Sequence, residues 1–281
     1  MSRRRVLVAV AALCVLACAG LLFPAVQKVR EAAARMTCQS HFKQLALALH
    51  MCADSAGGSF PQGTRTDASL PPERRWSWYL AVLAQWSDLD EPGVVRRSDP
   101  TCGPGDPRNG AAVSARFRHL ICPSSGEYVR DENGEHWKSP TPLTHYVGVA
   151  GVGADAAELP PEHPRAGVFG YDRRTSLKDG FPDGTSNTLL LIETANEPGH
   201  WAFGGRATVR AFEPRAAPYI GPGRPFGGLH NGGPVLTGER LHTCTAALAD
   251  GSVRSLTRAT APEVLEALAT AGGKEELPAA W

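Results

Sequence analysis

Cysteine, histidine and carboxylate side chains are where reactivity would have to come from in this chain. Five cysteines, Cys38, Cys52, Cys102, Cys122 and Cys244, lie outside an apolar N-terminal run that holds two more, Cys14 and Cys18. In an oxidising compartment some of the five should be oxidised. Cys38 and Cys52 cannot pair, because they are 14 positions apart on one expected helix, which separates them by about 21 Å. Zinc is the competing use of thiols, but the sequence has no Cys-x2-Cys pair. His200, His230 and His242 are candidate metal ligands, and a histidine with Asp250 and a serine has the residue types of a hydrolytic triad. No G-x-S-x-G elbow, H-E-x-x-H helix or Gly-rich phosphate loop accompanies them. No catalytic residue is therefore expected, and the chain reads as a non-enzyme.

Two carboxylate-bearing turns remain. "KDGFPDGTSNT" groups Asp179, Asp183, Ser186 and Asn187, hard oxygen donors of the kind calcium takes. The same residues are ordinary turn formers, and the D-x-D-x-D-G spacing of a calcium loop is missing. Turn is the preferred reading, with no cofactor expected and calcium as the one alternative. Asp250-Gly251 between two apolar runs signals a hairpin, with glycine supplying positive φ.

These residues hang on an unusual frame. Arg3, Arg4 and Arg5 precede "VLVAVAALCVLACAGLLF", residues 6 to 23, which contain no charge. About 20 helical residues span a bilayer's hydrocarbon core, and basic residues before the run hold that end in the cytoplasm. The expected layout is a cytoplasmic tip and transmembrane anchor over 1–23, a long helix over 24–56 continuing from it, and an extracytoplasmic β-rich domain over 57–281. A single-pass protein of the cytoplasmic membrane follows, body outside. A cleaved signal peptide is the alternative, and Val15-Leu16-Ala17-Cys18 is a loose lipobox.

Along the helix, Val26, Val29, Ala33 and Met36 share one face, whereas Cys38, Phe42, Leu45, Leu49 and Cys52 share another, roughly 150° away at 100° per residue. That change suits a helix whose first half meets membrane or partner helices and whose second half packs on its own domain. Gly57-Gly58 should stop it. "RRWSWYLAVLAQW" (74–86) predicts a short buried helix, and residues 88–110 predict a loop. Strands are expected over 117–123, 144–151, 166–171, 187–193, 244–250 and 252–256. Thr260 and Glu263 have capping-box spacing for a short C-terminal helix. This order, helix, strands, helix, is α+β. With 30 glycines and 23 prolines the domain must be loop-rich. A formal charge of +1, three arginines of it at the tip, leaves a near-neutral body without the basic face that nucleic acid requires.

The stretch "FPAVQKVREAAARMTCQSHFKQLALALH", "W-x-W-Y-L" from Trp76, "CPS" at Cys122 to Ser124, "THYVGVAG", "DGTSNTLLLIE" and "ADGSVRSL" occur in an order that resembles a bacterial family catalogued as domain of unknown function 1559. Within these segments the family-type positions are Cys38, Lys43, Gln44, His50, Cys122, Pro123, Asp183, Gly184, Ser186, Asn187, His230, Asp250 and Gly251. The resemblance implies a pilin-like fold, a long N-terminal helix lying on an antiparallel sheet, and a pseudopilin-like structural or assembly role. Partners would be the membrane, pilin-like or secretion-system subunits, or a second copy through the N-terminal helix. Its alternative is an anchored binding module that takes an envelope ligand through loops 88–110 and 196–234. A disulfide between Cys38 and Cys122 is expected from their place in the two best-matching segments, with Cys52, Cys102 and Cys244 as rival partners.

Two departures stand out. Where such sequences carry a prepilin-type "GFTLIE", this one has "RRRVLVAV", so neither processing nor a carboxylate-based filament register is expected. The family's His-x9-Asp-Gly spacing is stretched here, with nineteen residues between His230 and Asp250-Gly251 and "TGERLHTCTA" resembling an insertion.

Overall fold

The computed structural model describes residues 3–85, 93, 95–125, 128–130, 136–194, 196–227, 230–234 and 240–278, with the side chains of 128–138, of 231–241 and of most positions between 5 and 24 outside that description. One helix, α1 (Arg3–Ser55), opens the chain. It ends where Gly57 and Gly58 turn to φ of 75° and 84°, and the Gly58 amide closes the last turn on the Ala53 carbonyl at 2.8 Å. Among the described residues no helix is long and apolar enough to cross a membrane. The uncharged run 6–23 belongs to α1, and most of its side chains lie outside the described residues.

Of the segment 74–86, the described α-helix is α2 (Tyr79–Gln85), and Trp86 lies outside the described residues. Arg74 ends a 3-10 turn, and the residues after it form bridges, Trp76 with Phe203 and Ser77 with Thr64. The tryptophans explain this, since each buried indole N–H needs an acceptor. Trp76 Nε1 donates to the Cys102 carbonyl at 2.7 Å and Trp78 Nε1 to the Thr208 carbonyl at 3.0 Å. Residues 88–92 and 94 of the expected loop 88–110 lie outside the described residues. Its remainder carries single 3-10 turns and the one-turn helix α3 (Gly110–Val113).

Ten strands follow. β1 (Tyr128–Arg130) and β2 (His136–Lys138) pair with each other, as do β3 (Leu143–Thr144) and the later β6 (Gly199–His200). The main sheet is built from β4 (Tyr146–Val152), β5 (Leu189–Glu193), β7 (Val209–Phe212), β8 (His230–Pro234), β9 (Arg240–Leu248) and β10 (Val253–Thr257). Its order is β10-β9-β5-β4-β7, with β8 paired to β9. The sheet is mixed: β4 and β7 run parallel, a correction to the antiparallel sheet expected. The chain closes with α4 (Pro262–Ala269).

Helices cover both faces of the sheet, which is why "LLLIE" is buried along its whole length instead of alternating. Tyr146, Ala150, Leu190 and Ala247 join the core shared with α1 and α2. Val147, Val149, Ile192 and Ala246 join a second core with Leu265 and Leu268 of α4.

Three expected elements are corrected. Residues 117–123 hold a 3-10 turn at Arg118–Leu120, because the Ile121 amide closes on the Arg118 carbonyl at 3.2 Å instead of joining a ladder. Residues 166–171 make one bridge, Gly151 with Ala166, and no strand. Gly167 there has the Ala269 carbonyl 2.5 Å from where a Cβ would sit. The capping box does not form. Ala261 precedes Pro262 at the start of α4, while Thr260 Oγ1 accepts the Thr257 amide at 3.3 Å.

Candidate functional site

α1, the 3-10 turn before Cys122, the end of β5 and the start of β8 converge on one point. There Cys38, Cys122, Glu193 and His230 bring one sulfur, oxygen or nitrogen each to within 4.8 Å of one another. Cys38 Sγ is 3.6 Å from Glu193 Oε1, Cys122 Sγ is 3.5 Å from His230 Nε2, and that nitrogen is 3.5 Å from Glu193 Oε1. None of the four is more than 1% exposed. The disulfide expected between Cys38 and Cys122 is not formed, since both are free thiols, but the fold does bring the two sulfurs together.

An outer layer fixes each member. His230 Nδ1 faces Glu31 Oε1 at 3.0 Å and the Ser124 hydroxyl at 3.1 Å, and Ser124 also donates to Glu31 Oε2 at 3.1 Å. Glu193 Oε2 accepts the Thr245 amide at 3.0 Å. The Tyr146 hydroxyl lies 3.5 Å from Cys38 Sγ, 3.1 Å from the Ile121 carbonyl and 3.2 Å from His41 Nδ1. The Cys122 amide donates to His145 Nδ1 at 3.2 Å, and His145 Nε2 meets the Ser125 hydroxyl at 3.0 Å.

The electrostatics follow from burying these groups together. Hydrogen bonding from Cys122 holds the Cys38 thiol well below the ordinary range against the opposing effect of burial, with His230 and Tyr146 adding to it. Cys122 moves the opposite way, its proton retained by that same contact and by burial. Burial first, then the charge on Cys38, pushes Glu193 up to about 7. Burial opposes charge on His230, but Cys38, Glu193 and Glu31 outweigh it and raise the imidazole to about 9. A thiolate next to an imidazolium is the pairing of a cysteine nucleophile. Here it is sealed from solvent, so no substrate reaches it in this conformation.

The other singled-out residues lie elsewhere. Lys43 and Pro123 are exposed. Gln44 Oε1 and His50 Nε2 are buried without a hydrogen-bond partner, and the His50 ring packs edge-on to Phe60 with centroids 5.2 Å apart. In the 178–188 turn, the Asp183 carbonyl accepts Asn187 Nδ2 at 3.0 Å, its Oδ1 accepts the Lys274 amide at 3.0 Å, and Gly184 takes φ of 89°. Asp179 and Ser186 are exposed, and the loop's groups serve turn geometry. Asp250-Gly251 makes the expected hairpin between β9 and β10: Gly251 has φ of 81° and Asp250 Oδ1 accepts the Ser252 amide at 2.8 Å. Residues 240–246 of the apparent insertion form much of β9, which pairs His230 with Thr243 and Asn231 with His242. His200 pairs with Leu143 across the small β3–β6 sheet.

Sequence reading missed Glu193 and Glu31. Glu193 left a signal, an acidic residue closing four apolar ones in a segment too apolar for a surface strand. Glu31 left none, because its partner His230 is 199 positions away. Comparison with curated proteins and with solved structures finds no match. Residues 27–263, a span that includes Cys38, Cys122, Glu193 and His230, match the family model described as a protein of unknown function (DUF1559), and the chain belongs to that family.

Proposed function

We propose that this is a membrane-anchored, extracytoplasmic structural or assembly protein of pseudopilin type, without catalysis. The observation that carries the reading is α1. One uninterrupted helix leads from the tri-arginine end into the folded domain, and Val26, Val29 and Met36 stay exposed along residues 24–36 while Phe42, Leu45 and Leu49 are buried along 38–55. An apolar stripe left exposed among the described residues suits membrane or neighbouring helices. Self-association would then be weak and run through Val26, Val29, Ala33 and Met36, since no carboxylate lies in the apolar run to register one copy on another. In intact cells, Val29→Cys should give disulfide-linked dimers or ladders, the protein should stay in the carbonate-washed membrane pellet, and protease should reach the body only from outside. Recovery as a cytoplasmic soluble protein would overturn the reading. A mature N terminus retaining residues 3 to 23 fits the plain anchor. One starting at a lipid-bearing Cys18 makes it a lipoprotein, and one starting at a methylated Val6 means true pilin processing.

The binding-module reading has one feature in its favour. A cavity of about 370 Å³ lies between Gln62, Thr64, Trp78 and Ala81 on one side and Val95 and Pro100 of the 88–110 segment on the other, within the size range of small-ligand sites. A cell lacking crosslinked ladders but yielding a small envelope molecule bound to the purified protein would favour it.

A further inference from the structure

We propose that Cys38, Cys122, Glu193 and His230 form a closed, four-coordinate structural site for a divalent transition metal, zinc by its donor set. The distances carry this. Zinc takes sulfur at about 2.3 Å and nitrogen or carboxylate oxygen at about 2.0–2.2 Å in tetrahedral geometry. Those lengths set ligand-to-ligand edges of about 3.6 Å for S–O, about 3.5 Å for S–N and about 3.4 Å for N–O. The corresponding separations are 3.6 Å for Cys38 to Glu193, 3.5 Å for Cys122 to His230 and 3.5 Å for Glu193 to His230. Three of the six edges thus match those a metal centre requires, and all four donors, from four separate segments, lie within 4.8 Å of one another.

The donor chemistry narrows the ion. Two thiolates exclude calcium and magnesium, which take oxygen, and a tetrahedral sulfur, nitrogen and oxygen set is suited to zinc. The outer layer is that of a metal site too. A ligating histidine commonly presents its other ring nitrogen to a carboxylate, and His230 Nδ1 meets Glu31 at 3.0 Å. Glu193 Oε2 is held by the Thr245 amide at 3.0 Å, which leaves Oε1 for the metal. Binding would displace to solvent the Cys122 thiol proton and the proton on His230 Nε2, the ring keeping its Nδ1–H toward Glu31. With four protein ligands and no exposed edge, no coordination position is open to a substrate. The consequence is mechanical: the metal would tie α1 to the loop at Cys122 and to strands β5 and β8.

The test uses full-length protein in mild detergent, purified without oxidation, stripped with chelator and titrated with Co(II). Tetrahedral visible bands with a thiolate-to-metal charge-transfer band, saturating at one equivalent and abolished by added zinc, are expected. Protein purified without added metal should carry about one zinc by elemental analysis. Cys38→Ser should lose charge-transfer intensity, and Cys52→Ser, elsewhere on α1, should not. Because a ligand variant can fail to fold, Glu31→Gln is the second arm. It should keep the spectrum while weakening binding about 10–100-fold, the range for losing an outer carboxylate. No stoichiometric metal, a weak octahedral spectrum, or a Cys38–Cys122 disulfide in protein taken unreduced from the envelope would each overturn the proposal.

Discussion

Beyond its uncharged run, α1 has two halves, 24–36 and 38–55, each with an apolar stripe, and they meet opposite fates. On the first, Val29 and Met36 are 69% and 71% exposed, whereas on the second Cys38, Phe42, Leu45 and Leu49 are fully buried. Both halves are amphipathic, so hydropathy alone does not separate them. What separates them is an opposing surface: Tyr146, Leu190 and Ala247 of the sheet, with α2, meet the apolar stripe of the second half, whereas Val26, Val29 and Met36 on the first stay exposed. A stripe of apolar residues reports that a partner is wanted, not whether the chain supplies it. Glu31 is the exception in the first half, its carboxylate reaching back to His230 and Ser124.

Truncation should expose the contrast most strongly. Phe42→Ala and Leu45→Ala should each destabilise the domain by about 3–5 kcal/mol in denaturant melts through the cavity left behind. Val29→Ala should cost less than about 0.5 kcal/mol, as at other exposed sites. Equal costs would mean that the first half is covered in the monomer.

Thiol chemistry sharpens the same comparison. Burial pushes the Cys52 thiol up to about 11. An ordinary thiol near 8.5 is far more ionised at pH 8, so a cysteine introduced by Met36→Cys should alkylate on the order of 10²-fold faster than Cys52. Labelling of Met36→Cys in detergent-solubilised monomer but not in cells would show that another helix covers that face there.

A charge on the first half makes a subtler split. Val29→Glu should abolish disulfide crosslinking through Met36→Cys on the same face and, alone, leave the melting of the domain within about 0.5 kcal/mol of the parent. A large loss of stability would assign Val29 to the domain's own core.

The smallest effect is a pH control away from α1. Burial, then the nearby Arg116 charge, lowers His200 to about 4. The folded ring stays neutral while the unfolded ring takes a proton near pH 6.5, so its contribution is complete above about pH 6.5 and declines as pH falls toward 4. Stability compared between the parent and His200→Gln should diverge at neutral pH and converge on acidification. A constant difference across that window would refute the neutral assignment.

Short-range features were legible. Gly57-Gly58 ends α1 and Asp250-Gly251 turns β9 into β10, each through positive φ that only a few neighbouring residues decide. The rotated faces of α1 and the strands at 146–152, 189–193 and 253–257 follow from local periodicity and apolar content. Where two local patterns competed, tertiary contacts chose. Residues 117–123 and 166–171 have strand composition but found turns and close backbone packing instead, and Thr260 gave its hydroxyl to Thr257 rather than to a cap.

Cys38, Cys122 and His230 of the site stood among the family-type positions, but their convergence with Glu193 belongs to that second category. Cys38 and Glu193 are 155 positions apart and Cys122 and His230 are 108 apart, so no motif spacing could relate them. Side-chain chemistry, helix stops and the face each helix presents are written in adjacent residues because covalent geometry and short-range hydrogen bonds act over a few positions. Which thiol meets which carboxylate depends on how β5, β8 and the Cys122 turn stack against α1. Only the burial of the whole core brings those distant segments to a common point.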